Sequence, residues 1–127
     1  MLKITFAKIK NVAILTCAGR LVAGTVSRLA DVVRAQMHMG LIVLDLAEVT
    51  TVDASGLGGL VSLHKSCRAA GSRLKLLNLR PQVEELLKLT NLDSLLEVCT
   101  LREILDLFCT ASQSGSPLRS KHAFVPA

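Results

Sequence analysis

The chain has 127 residues, 50% hydrophobic and 20% charged, which is enough apolar material for one domain with its own core. Its formal net charge of +5 comes from scattered bases, and the sequence has no Trp or Tyr on which a base could stack. These features argue against a nucleic-acid-binding surface, and no stretch has the ~18 uncharged apolar residues of a membrane span.

The first predicted elements are two strands joined as a hairpin. Residues 3–9 alternate apolar and polar side chains, and a second β-prone stretch follows at residues 12–17. Ala18 and Gly19 are expected to end the second strand.

A helix and a buried strand follow. The helix is predicted to start after Thr25 or Ser27, either of which is a suitable N-cap. It is predicted to end before Gly40, which has the position of a left-handed C-cap residue. Its inner face is marked by apolar residues at helical spacing: Val26, Leu29, Ala30, Val33 and Met37. Residues 41–44 form an uninterrupted apolar run, typical of a central strand covered on both faces, and Asp45 is expected to end that strand.

A helix, a strand and a third helix are predicted after residue 52. Apolar side chains at helical spacing mark the inner face of the next helix: Leu57, Leu60, Val61, His64 and Cys67. Gly71 closes this helix, and residues 74–77 form a strand. Pro81 has the position of the first residue of a third helix, which ends near Asn91.

The last predicted elements are a short strand at residues 95–98 and a helix. Thr100 and Glu103 have the spacing of a capping box at the start of this helix. We expect a domain over residues 1–109 and a disordered tail over residues 110–127, which are rich in Ser, Gly and Pro. The alternation of strands and helices predicts an α/β fold with a mixed sheet of four to five strands backed by about four helices.

The cysteines and the amino terminus indicate a reducing compartment. Lysines interrupt the apolar residues at 1–8, so this segment lacks the pattern of a secretory signal, and we expect a cytoplasmic protein with reduced thiols. No two cysteines have C-x-x-C spacing, and no cofactor or metal is predicted.

Asp53, Ala54, Ser55 and Gly56 form the candidate functional site. They combine a carboxylate at a strand end, a hydroxyl at a helix start and glycine, at the edge of the sheet where α/β proteins usually bind ligands. A helical projection places small or polar residues opposite the leucine face of this helix: Gly58, Gly59, Ser62, Lys65 and Ser66. Glycines in an exposed helix are unfavourable, which favours close approach by a partner at Asp53–Gly56, Gly58, Gly59 and Ser62. The alternative is that Ser55 only caps the helix and the glycines only ease the packing of the helix on the sheet.

Residues 41–46 and 49–58 together resemble the signature of STAS domains, the family of bacterial anti-sigma factor antagonists. Residues 19–21 are similar to the G-x-L turn of the family, and residues 81–83 and 91–92 fit its third helix and the following turn. The resemblance extends over residues 4–108. It implies a cytoplasmic, non-catalytic module that binds an anti-sigma factor, often a serine kinase, frees a sigma factor, and loses this partner on phosphorylation.

Two residues depart from the family pattern. The phosphoacceptor of the family is the Ser or Thr directly after the Asp of the signature, where this chain has Ala54. Val22 stands where many members have an acid. Either Ser55 is an alternative acceptor or the domain docks unmodified, and we favour unmodified docking because a shift of one residue turns a helical side chain by about 100°.

Other functions remain as alternatives. The chain could instead be a non-catalytic subunit of a larger assembly, such as a lipid-transport or stress-signalling complex that contains STAS domains. A hydrolase would need a base near Ser55, and the nearest histidine in sequence, His64, has the spacing of a packed, hydrogen-bonded core residue. The sequence does not indicate the oligomeric state.

Overall fold

The computed structural model describes residues 2–112, which form five strands and four α-helices. The strands are β1 (Leu2–Ile9), β2 (Val12–Leu21), β3 (Leu41–Val52), β4 (Arg73–Leu77) and β5 (Glu97–Cys99). The α-helices are α1 (Val26–Ala35), α2 (Ala54–Ala69), α3 (Pro81–Leu89) and α4 (Leu101–Ser112), and a short 3-10 helix lies at Leu92–Ser94. The predicted α/β class and the predicted order of elements are confirmed.

The strands form one mixed sheet in the order β1-β2-β3-β4-β5. β1 and β2 are antiparallel and form the predicted hairpin, whereas the other neighbouring pairs are parallel. β3 is central, as its apolar run predicts. Asp45 ends only the pairing with β4, because β3 continues beside β2 until Val52 lies opposite Leu21. The prediction that Asp45 ends the strand was therefore wrong.

β2 also extends beyond its predicted end at Ala18 and Gly19. Gly19 has a φ of +121°, and the register between β2 and β3 shifts on either side of it, between Thr16 and Ala18 and between Gly19 and Arg20. Glycine at positive φ is typical of a β-bulge, which interrupts the pairing of a strand without ending it. The extension carries β2 to the edge of the sheet where the candidate site lies.

The two faces of the sheet carry separate apolar clusters. Side chains alternate along β3, so Ile42 and Leu44 point to one face and Val43 to the other. The first face packs against α1, α2 and α3 in the main core. The second face forms a smaller cluster of Val43, Leu77, Cys99 and Ile104, the last from α4. Helices therefore pack on both faces of the sheet, and α4 contacts the second face at β3, β4 and β5.

Several predicted helix ends are confirmed. Pro81 is the first residue of α3, and Gly71 and Asn91 follow α2 and α3 with φ of +84° and +61°. At the start of α4 the backbone N–H of Thr100 donates to Glu103 Oε1 (2.8 Å), and the backbone N–H of Glu103 donates to Thr100 Oγ1 (3.2 Å). These two bonds are the predicted capping box.

Other boundaries differ from the prediction. α1 ends at Gln36 as its C-cap, and Gly40 is not left-handed but packs so closely against Asn11 that a Cβ would meet its side-chain amide. β5 begins two residues later than predicted. α4 extends to Ser112, so the predicted boundary between residues 109 and 110 falls inside this helix, and the rest of the predicted tail lies outside the described residues. No helix within residues 2–112 is long and apolar enough to span a bilayer.

Candidate functional site

The ends of β2 and β3 meet at one edge of the sheet, because the two strands are parallel neighbours. Residues 22–25 connect β2 to α1, and Asp53 alone separates β3 from α2. The backbone N–H of Asp53 donates to the carbonyl of Leu21 (3.3 Å), so the two connections are bonded to each other. Such an edge, at the carboxyl ends of parallel strands, is where α/β folds usually place their sites.

The Asp53 carboxylate fixes this junction. Oδ1 accepts the backbone N–H of Gly56 (2.8 Å), which makes Asp53 the N-cap of α2, and Oδ2 accepts the backbone N–H of Ala23 (3.1 Å) from the loop after β2. The Gly56 hydrogen bond, with a smaller contribution from Ala23, lowers the pKa of the Asp53 carboxyl below its ordinary value. The start of α2 therefore carries a fixed negative charge at neutral pH.

The loop before α1 is held by its own hydrogen bonds. Thr25 is the N-cap residue of α1, as predicted, but its hydroxyl does not bond to that helix. Thr25 Oγ1 donates to the Arg20 carbonyl (2.6 Å) and accepts the backbone N–H of Val22 (3.0 Å). The loop therefore presents Ala23 to Asp53 in a defined geometry. The sequence did not indicate that Ala23 and Thr25 belong to the site, although the parallel pairing of β2 and β3 would place the loops after these strands together.

The three glycines near the start of α2 have different surroundings. Gly56 is buried, and a Cβ there would meet the Leu21 carbonyl oxygen and Val52. A Cβ on Gly59 would meet the side chain of Val26 in α1. Gly58 is exposed, and a Cβ there would meet nothing within 4 Å. The placement of Gly59 on an open outer face was wrong, because α1 covers that flank of α2, whereas Gly58 lies where the projection places it.

An exposed patch of small and polar residues remains on the first turns of α2. Ala54 and Ser55 begin the helix and are exposed, as is Ser62, and Asp53 is partly exposed. We call Asp53, Ala54, Ser55, Gly58 and Ser62 the α2 surface. Lys65 continues it toward solvent, whereas Ser66 is half-buried. The structure thus brings most of the predicted partner-binding residues onto one open surface, and places Gly56 and Gly59 beneath or beside it.

His64 and Ser55 are on different sides of α2. The His64 side chain is only 3% exposed and faces the interior, which confirms its predicted packing, but no hydrogen-bond partner for Nδ1 lies within the described chain. Ser55 is exposed to solvent, so the two side chains are not placed as nucleophile and base. Among the side chains that the structure describes, at residues 2–106, there is also no group of three or more His, Cys, Asp or Glu suited to a metal ion.

Comparison with protein families identifies this arrangement. A family model described as the STAS domain matches residues 3–106, which include the five strands apart from Leu2 and reach into α4. The chain belongs to the STAS domain family. The resemblance seen in residues 41–58 is thereby confirmed, and the STAS signature corresponds in the structure to β3, Asp53 and the first turn of α2.

Solved structures of several other proteins share the fold. A Thermotoga maritima protein assigned as an anti-sigma factor antagonist is 25% identical with a TM-score of 0.73, over 81% of this chain and 92% of that one. Unphosphorylated SpoIIAA, an anti-sigma factor antagonist, is 17% identical with a TM-score of 0.68, over 84% and 96% of the chains. A sulfate transporter family protein from Wolinella succinogenes is 22% identical with a TM-score of 0.65, over 72% and 79%.

Proposed function

We propose that this STAS domain is a non-catalytic regulatory module of the anti-sigma factor antagonist type. It docks an anti-sigma factor or serine kinase in the cytoplasm through the α2 surface and thereby releases a sigma factor. The similarity to the Thermotoga maritima antagonist, which extends over most of both chains, supports this assignment. The observation that carries it is the open space over Gly58, between Ser55 and Ser62 on a helix start fixed by Asp53.

The helix does not need glycine at position 58 for its own packing. A Cβ at this position would contact no other part of the described chain, and glycine in an exposed helix costs about 1 kcal/mol relative to alanine. Gly56 and Gly59 have packing reasons for the lack of a side chain, and Gly58 has none. A partner whose backbone lies close to the helix would explain this glycine.

Docking is expected to occur without phosphorylation. Ala54 is the first residue of α2 and has no hydroxyl, and Ser55 lies about 100° further around the helix. We expect a cognate serine kinase to leave the wild-type chain unlabelled and to label Ala54→Ser, with the Ser55→Ala variant as the matched control. Phosphate mapped to Ser55 of the wild-type chain would overturn this part of the proposal.

Co-purification from the native cells tests the docking surface. Gly58→Arg places a long side chain on the α2 surface where there is room for it, and Ala69→Arg makes the same change at an exposed position at the other end of α2. The wild-type chain and Ala69→Arg should recover an anti-sigma factor or serine kinase, and Gly58→Arg should not. Equal recovery by both variants would contradict the proposal.

The same experiment separates the second candidate function. The fold is shared with a sulfate transporter family protein, so a role as a subunit of a transport assembly is the alternative. Recovery of a transporter ATPase in place of an anti-sigma factor would select this alternative.

A further inference from the structure

A second candidate site lies at the opposite end of α2. A cleft of about 370 Å³ is lined by Arg68, Gly71, Ser72, Arg73 and Glu97. α2 has 16 residues and is therefore about 24 Å long, which separates this cleft from Asp53 at the other end of the helix. None of the lining residues belongs to the α2 surface.

The cleft has an excess of positive charge. Glu97 Oε1 accepts hydrogen bonds from both Arg73 Nη2 (2.8 Å) and Lys75 Nζ (2.9 Å), so one carboxylate is shared by two cations. Partial burial favours the neutral form of Glu97, but Lys75 and Arg73 outweigh this effect and lower its pKa. Arg68 also lines the cleft and forms no ion pair within the described chain. The lining thus carries two cations, Arg68 and Arg73, and one carboxylate, which Lys75 contacts from outside the lining.

The cleft is also lined by a residue whose buried hydroxyl has no hydrogen-bond partner in the described chain. Ser72 is 2% exposed, and its Oγ has no hydrogen-bond partner among the described residues. A buried hydroxyl without a partner is unfavourable, and a ligand oxygen in the cleft would provide an acceptor after rotation about the Ser72 Cα–Cβ bond.

The backbone N–H groups at the end of α2 already have partners. The N–H groups of Ala70, Gly71 and Ser72 donate to the carbonyls of Ser66, Arg68 and Cys67 (3.1, 3.1 and 2.8 Å). The negative end of the helix dipole lies here and disfavours an anion, so the arginine side chains must outweigh this effect. The side chains of Arg68, Ser72 and Arg73 supply the donors that remain.

We propose that this cleft binds a small phosphate dianion, either free phosphate or a phosphate monoester, through Arg68, Arg73 and the Ser72 hydroxyl. A guanidinium offers paired N–H donors that match phosphate oxygens, and Glu97 holds the Arg73 guanidinium in position from one side. The cleft is larger than phosphate alone requires, so a monoester such as glycerol 3-phosphate fits its volume. The inference does not depend on the proposed function, because it concerns different residues.

Amide NMR of the ¹⁵N-labelled full chain at constant ionic strength tests this proposal. Titration with inorganic phosphate and with glycerol 3-phosphate should shift the resonances of Gly71, Ser72 and Arg73 and saturate. Tighter binding of glycerol 3-phosphate would assign the site to monoesters, and equal binding would assign it to the phosphate group alone. Shifts that stay linear, or that occur equally with sodium chloride, would overturn the proposal.

Variants separate the site from general charge attraction. Arg68→Gln replaces an exposed side chain that has no ion pair in the described chain, so the fold should be unaffected. The affinity for phosphate should fall about tenfold, as expected for the loss of a charge-assisted hydrogen bond. Ser72→Ala should weaken binding several-fold. Lys88→Gln, an equal loss of charge on α3, should bind as the wild type does. Equal weakening by Arg68→Gln and Lys88→Gln would contradict a specific site.

Discussion

Gly56 and Gly58 are two residues apart on α2, yet a methyl group added to each has opposite consequences. At Gly56 it would meet a backbone oxygen of β2, which cannot move aside, so Gly56→Ala should lower the free energy of unfolding by about 2–3 kcal/mol. At Gly58 there is open space, so Gly58→Ala should raise it by about 0.5–1 kcal/mol. Urea unfolding of the two variants measures both changes, and a destabilised Gly58→Ala protein would show that this position is packed.

Asp53 should make stability depend on pH in the acid range. Its pKa in the folded state is below the ordinary value of 3.8, chiefly because it accepts the Gly56 N–H, so its contribution is present above about pH 4 and lost as the pH falls through the lowered pKa. Asp53→Asn keeps an acceptor oxygen but cannot titrate. Its unfolding free energy should therefore fall less than that of the wild type between about pH 5 and pH 2.5. Parallel profiles for the two proteins would contradict this account.

The sequence predicted which residues form the site better than it predicted which parts of the chain they contact. Asp53 as a helix start and Gly58 on an outward face follow from local spacing, since a helix repeats every 3.6 residues. The bond from Ala23 to Asp53 joins residues 30 positions apart, and the contact of Gly59 with Val26 needs the position of α1. Local pattern carries no information on either, because both depend on how separate elements pack.

At the scale of the helix, α2 contains a polar group in its buried face. His64 Nδ1 has no partner in the described chain, so His64→Leu should raise the free energy of unfolding by about 1–2 kcal/mol through removal of an unsatisfied group. Leu60→Ala, a cavity-forming change on the same face, should lower it by about 2–5 kcal/mol. Thermal or urea unfolding distinguishes these outcomes, and a loss of stability in His64→Leu would indicate that the imidazole has a bonding role.

Element boundaries were predictable where a local chemical rule decides them. Pro81 at the start of α3 and the Thr100–Glu103 capping box are such cases, because the residue types themselves satisfy the free backbone groups of a helix end. The roles of Gly19 and Gly40 were predicted wrongly, since glycine is equally compatible with a bulge, a close contact or a helix end. Tertiary packing decides among these uses.

At the scale of the whole molecule, the core should protect three thiols. Cys17, Cys67 and Cys99 are buried, and burial raises the pKa of each thiol. The pKa is about 12 for Cys17 and about 11 for Cys99. The reactive thiolate is therefore scarce at neutral pH. Iodoacetamide followed by peptide mass mapping should leave all three unmodified in the native protein and modify them in urea. Native labelling of Cys99 at the denatured rate would contradict this packing.

The two candidate sites lie at opposite ends of α2, and only the α2 surface can be predicted from the sequence. The α2 surface follows from a contiguous motif, residues 53–58, and a single helical face. The cleft joins the end of α2 to β4 and β5, and its charge excess comes from Arg68 and Arg73 against the single carboxylate of Glu97. The scattered bases of the sequence give no sign of this cluster, because the sheet brings its members together.

Site-specific photo-crosslinking in the native cells tests the central claim most directly. A photoreactive residue placed at Ser62 on the α2 surface should become covalently joined to an anti-sigma factor or serine kinase, identified by mass spectrometry, and the same residue placed at Lys88 on α3 should not. Capture of that partner from Lys88 but not from Ser62 would show that docking uses another surface, and would contradict the account given for α2.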